Sequence, residues 1–152
     1  MAAQTRTLET VWRELRPHLE WAQGFSLVLL FARHPQPITL LRQRLDDSLQ
    51  LRTLRLCVLA PQSLAEVGQL AEAILNAHPG PASGPLWVEL WRYAHEPDWR
   101  QARALLLHRI NERRFLLERD VRRPLVLVLP PEDRGGLYAR APDLWAIRSS
   151  RA

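Results

Sequence analysis

GFSLVLLFARHPQPITLLRQRL, residues 24–45, is the stretch whose reading decides the fold. Residues 25–32 are apolar on both faces, which predicts a strand in the middle of a sheet with helices on each side. After the link, Ile38, Leu41, Leu45 and Leu49 recur at helical spacing, and Pro37 suits the first position of a helix. The link itself, Arg33-His34-Pro35-Gln36-Pro37, sits where an α/β nucleotide-binding domain would wrap phosphates. That task needs glycines, so that backbone N–H groups can close on the phosphates, followed by a Lys and a Ser or Thr. This link has no glycine, its two prolines lack the N–H, and the 152-residue chain contains no lysine.

Outward from this stretch, strands and helices alternate. Residues 7 to about 21 form a helix on Leu8, Val11, Trp12, Leu15 and Leu19, with Pro17 expected to kink or divide it. A second strand is predicted over 54–60. Ser63 and Glu66 then make a capping-box signature for a helix reaching about residue 77. The breaker-rich loop 78–85 leads to a third strand over 86–93. Asp98 is the expected N-cap of a long helix that buries Trp99, Ala102, Leu106, Ile110 and Leu117. Residues 124–129 are a second wholly apolar strand, and a turn at Gly135-Gly136 precedes a short helix or turn around 141–145. A helix followed by βαβαβαβ and a short tail predicts an α/β, three-layer αβα domain with a mainly parallel sheet of four to five strands. One domain over 1–152 is expected, with its N-terminal helix at 7–22 and its core at 24–150.

Composition narrows the classes. There is no signal-peptide pattern, and the longest apolar run is far too short to span a bilayer, so a cytoplasmic protein without membrane contact is expected. The lone Cys57 lies in an apolar run and reads as core, and the five histidines lack ligand spacing. Net charge is +5, but the arginines are spread through the chain among Asp and Glu with no recognition motif, which argues against nucleic acid as a partner. No G-x-S-x-G elbow and no acidic pair at a strand end is visible, so no enzyme, metal or cofactor is expected. Glu89 falls in the middle of the third predicted strand, a poor place to hold Mg²⁺. Trp87 and Trp91 flank it on the same face and are candidates for docking, since aromatic residues dominate binding hot spots. Covering of that face by helices is the plainer alternative.

Four segments recur in an order that resembles a known family. They are WAQGFSLVLLFAR (21–33), RINERRFLLE (109–118), RPLVLVLPP (123–131) and RAPDLWAIRSS (140–150). Together they resemble inactive STAND modules, degenerate P-loop domains of bacterial multidomain signalling and antiphage conflict proteins. Asn111 with Arg114 is similar to that family's Asn-x-x-Arg helix motif. Asp143, Trp145 and Arg148 carry the most specific piece and read better as a structural lock than as a binding site. The resemblance implies a P-loop-like fold with strand four between strands one and three. It also implies no hydrolysis, and an adaptor or sensing role through protein partners or fused effector and repeat domains. Members usually continue with a further apolar strand and further domains, so this chain is either a free-standing adaptor or a piece of a longer protein. The alternative function is a non-hydrolysing nucleotide sensor, with Arg33 and His34 meeting phosphate at the start of the helix.

Overall fold

The computed structural model describes residues 8–19, 24–77, 80, 82–136 and 148–151. Helix α1 (Leu8–Leu19) precedes strand β1 (Ser26–Phe31), followed by α2 (Pro35–Gln50) and β2 (Arg55–Leu59). Then come α3 (Leu64–Leu75), β3 (Ser83–Glu89) and α4 (Pro97–Glu112). A short α5 (Arg114–Leu116), a π-helical turn (Leu117–Val121), β4 (Pro124–Leu129) and β5 (Arg148–Arg151) complete the described elements. The strands lie in the order β2-β3-β4-β1-β5, and every neighbouring pair is parallel. Strand β4 lies between β1 and β3, as the resemblance implied.

The register explains the two-sided burial of the apolar runs. Strand β1 pairs with β4 from Ser26↔Pro124 to Phe31↔Leu129, so each fills the other's ladder along its whole length. Alternation then sorts the side chains to opposite faces. Leu27, Leu29, Leu86, Val88, Leu125, Leu127 and Leu129 meet Leu70, Ile74, Leu106 and Ile110 of α3 and α4. Val28, Leu30, Trp87, Val126 and Val128 meet Trp12 and Leu15 of α1 and Leu41, Leu45 and Leu49 of α2. The result is two cores, one on each side of the sheet.

Several boundaries differ from those read in the sequence. Helix α2 begins at Pro35, since its helical φ fits the first turn as well as that of Pro37. The Ser63 cap forms, its hydroxyl accepting from the Glu66 N–H at 3.2 Å, while Glu66 reaches back to the Gln62 N–H. Asp98 does not cap α4; Glu96 holds that position without a side-chain bond and Asp98 lies in the first turn. The long helix breaks at Arg113, so Asn111 and Arg114 fall on separate helical segments. Strand β3 starts three residues early and ends four early, at Glu89. Gly84 makes that early start possible: a Cβ there would lie 2.7 Å from the Arg55 carbonyl oxygen, so only glycine lets β3 approach β2 this closely.

Candidate functional site

The carboxyl ends of β1, β3 and β4 form one rim, and each contributes charge. Because β3 ends at Glu89, this residue is at the tip of the strand, correcting its expected place in mid-strand. Beyond it Leu90 donates to the Val128 carbonyl, and Tyr93 turns the chain away in the left-handed region at φ 53°, its ring 4.6 Å from that of Trp99.

Glu89 is buried, and both its oxygens are occupied. Oε2 accepts from Arg42 Nη1 at 2.6 Å and from Trp87 Nε1 at 3.1 Å. Oε1 accepts from Trp91 Nε1 at 3.3 Å and lies 3.5 Å from Arg92 Nη2. Arg92 also stacks on the Trp91 ring at 4.6 Å. Two indole N–H donors and two guanidinium groups therefore fill the acceptor positions through which a carboxylate would otherwise hold a cation. Trp87 is 0% exposed, which corrects its reading as a docking residue: helices α1 and α2 cover that face of β3. Trp91 is half-buried and engaged through its N–H.

Beyond β4, Asp133 is buried and receives Arg103 Nε at 2.7 Å and Nη2 at 3.4 Å. Arg103 Nη2 also donates to the Ala94 carbonyl at 3.1 Å, tying the loop after β3 to the loop after β4. Next to Asp133, Glu132 pairs with Arg33 at 3.1 Å, with His95 Nε2 3.8 Å away. Arg33 is largely exposed, and His34 occupies the N-cap position of α2 without a side-chain cap bond. Arg134 stacks over Phe31 at 5.4 Å.

Of the remaining candidates, Asn111 lies in the last turn of α4 and Arg114 opens α5, its guanidinium 4.5 Å from the Phe115 ring centre. That ring is 68% exposed. Asp143 and Trp145 lie outside the described residues, and the backbone of Arg148 pairs with Leu27 at the start of β5. The sequence reading missed Arg42, Arg103, Glu132 and Asp133. Arg103 left a signal, because it falls on the apolar stripe of α4 between Trp99 and Leu106 and Ile110, and a charge in a buried stripe requires an acid. Arg42 left none, since it lies on the flank of an ordinary amphipathic helix. Among the described residues, no group of three or more His, Cys, Asp or Glu could hold a metal, and no helix is long and apolar enough to cross a membrane.

No protein-family model matches the chain, and no curated protein matches it. Among solved structures it is similar to that of the Aeropyrum pernix ORC1 protein in complex with DNA. The two are 13% identical over 95% of this chain and 43% of that one, with a TM-score of 0.49. The chain thus spans less than half the length of that protein's chain. The fold is a mixed α/β, three-layer one, its parallel sheet flanked by helices on both faces. Two expectations are corrected here. The case against nucleic acid is withdrawn, since it was read from the spread of arginines along the sequence. Arginines dispersed in sequence say nothing of how a fold groups them. The expectation that the chain is not an enzyme is withdrawn likewise: it rested on linear motifs, and residues far apart in sequence meet in the fold, as Arg103 and Asp133 do.

Proposed function

We propose that this chain is a P-loop-like adaptor module of the inactive STAND kind, working in a bacterial signalling or antiphage system through contact with another protein. The observation that supports this reading most is the pairing at the carboxyl end of the sheet. Glu89 is held by Arg42 and Arg92, Asp133 by Arg103, and Glu132 by Arg33, so the charged groups of the rim answer one another inside the domain. Arg114 stacked on the exposed Phe115 offers the partner an Arg–aromatic pair, residue types enriched at protein interfaces. The test is affinity capture from native bacterial lysate with the wild-type chain and with Phe115→Ala. Running it with and without nuclease separates a protein partner from one bridged by nucleic acid. A nuclease-resistant partner lost in Phe115→Ala agrees with the reading; no such partner, or one that Phe115→Ala retains, rejects it.

A second reading, a nucleotide sensor, is favoured by the exposure of Arg33 beside the N-terminus of the 16-residue α2. Its bond to Glu132 is a surface pair of small worth, which a phosphate could displace. Under this reading ATP–Mg²⁺ or ADP–Mg²⁺ raises the unfolding midpoint, and Arg33→Ala removes the rise.

A further inference from the structure

At the end of the sheet away from the rim, Arg123 and Cys57 share the face that α3 and α4 cover. Cys57 pairs with Leu86 of β3, and Leu86 with Leu125 of β4, so the three lie side by side on one face. Cys57 accordingly packs against the core beneath α3 and α4. Arg123 stands two residues before Leu125 and falls on the same face by alternation. From β4 its side chain runs across β3. Its Nη1 donates to the Gly84 carbonyl at 3.4 Å and its Nη2 to the Ala77 carbonyl at 3.0 Å. This direction leads to β2, the next strand about 4.8 Å on, which carries Cys57.

Arg123 is 7% exposed, and its Nε–H is buried without a partner among the described residues. Burial lowers the pKa of its guanidinium, and the charge that opposes burial is that of the Cys57 sulfur. A buried cation ordinarily meets an anion. Here a cation held by carbonyls alone reaches toward the one thiol in the chain. Cys57 is only partly buried, on a strand that among the described residues is paired on one side alone, so a small solute can reach it. With no second cysteine, its oxidation cannot end in a disulfide within the chain.

We propose that Cys57 is a site of oxidation by hydrogen peroxide, and that Arg123 holds the sulfinate formed there. In the first step the sulfur attacks one peroxide oxygen. An S–O bond forms and the O–O bond breaks, and the departing oxygen leaves as water with the thiol proton. The sulfur gives up two electrons, which the peroxide accepts. A second peroxide repeats the exchange, turning sulfenic into sulfinic acid, which releases its proton to solvent. The sulfinate then offers a negative charge and two acceptor oxygens to a guanidinium that has an N–H to spare, and charge-assisted bonds of this kind are the strong ones. Such a bond ties β2 to β4 across β3. The proposal goes beyond the adaptor reading and is independent of it, since it uses neither Phe115 nor the rim at Glu89.

The experiment treats the full chain with hydrogen peroxide, maps the product by peptide mass and compares thermal midpoints before and after. Two oxygens should be gained at Cys57. In the wild type the midpoint should then rise by about 2 °C or more. In Arg123→Met the same oxidation should leave the midpoint unchanged or lower it. Arg55→Met, which removes an exposed arginine two residues from Cys57, should keep the rise. In nitrogen-15 spectra of the wild type, the Arg123 Nε–H should shift and exchange more slowly with water once Cys57 is oxidised. A folded chain whose Cys57 stays a thiol while the urea-unfolded chain is oxidised overturns the proposal. So does a product that stops at one oxygen, or a midpoint change that is the same in wild type and Arg123→Met. Should Arg123→Met fail to fold, the Nε–H signal of the wild type decides: unchanged on oxidation, it overturns the proposal.

Discussion

Arg123 immediately precedes β4, and Arg103 meets the chain just beyond the other end of that strand; both are buried, yet their partners differ. Arg103 is gripped by the Asp133 carboxylate at 2.7 and 3.4 Å, with one further bond to a carbonyl. Arg123 donates to carbonyls only: Ala77 at 3.0 Å, just past the end of α3, and Gly84 at 3.4 Å. Its Nε has no partner among the described residues, and neither has Arg103 Nη1, so the two differ in the charge of their partners. Burial lowers the pKa of the Arg123 guanidinium, because the charged form is taken from water without a carboxylate in return. The difference teaches that every carboxylate named on the rim is paired with an arginine, whereas the opposite end of the sheet carries a buried cation held only by dipoles.

The largest expected effect breaks the paired side. Asp133→Ala leaves Arg103 buried and unpaired and should cost about 3–5 kcal/mol in urea unfolding. Replacing both members, Arg103→Met with Asp133→Leu, should recover most of that loss, since the cost lies in the orphaned charge. If Asp133→Ala costs under about 1 kcal/mol, Asp133 is not what compensates the buried Arg103 charge.

A smaller effect is expected on the other side. Arg123→Met removes a desolvated cation along with its two carbonyl bonds, and the opposing terms should leave stability within about 1 kcal/mol of wild type. A loss as large as that of Asp133→Ala, read in the same urea titration, would erase the contrast between the two ends.

The smallest effect belongs to an exposed pair that serves as a reference for both. Arg44 Nη1 donates to Glu9 Oε2 at 2.6 Å and lies 5.0 Å above the Trp12 ring centre. That hydrogen bond holds the Glu9 carboxyl below its ordinary range. A lowered folded-state pKa gives stability that is present above the unfolded value and is lost as pH falls through the folded one. Glu9→Gln should therefore melt slightly below wild type at neutral pH, and the gap in thermal midpoint should close on acidification. A gap that widens in acid would reverse the assigned sign.

The legible part of the fold followed from local chemistry. The apolar runs at 25–32 and 124–129 marked β1 and β4 as central, because only a strand covered on both faces stays apolar at every position. The cap at Ser63 was readable because its donor and acceptor are three residues apart. What failed was reading Leu90 to Tyr93 as strand. Their composition suits a strand, but β3 stops where its pairing with β4 ends, at Glu89↔Val128. One consequence is that Glu89 moved to the rim.

By itself, then, the sequence determined the alternation of strands and helices, the two central strands, and the absence of a glycine-lined phosphate turn after β1. These depend on residues within a few positions of one another. Tertiary structure alone decided that Trp87 lies in the core, that Glu89 is shared by Arg42 and Arg92, and that Asp133 answers Arg103. Arg42 and Glu89 are 47 positions apart, and Arg103 and Asp133 are 30 apart. Such charges become partners only when the parallel sheet brings its strand ends together, and no local pattern in the chain records which acid each arginine will meet.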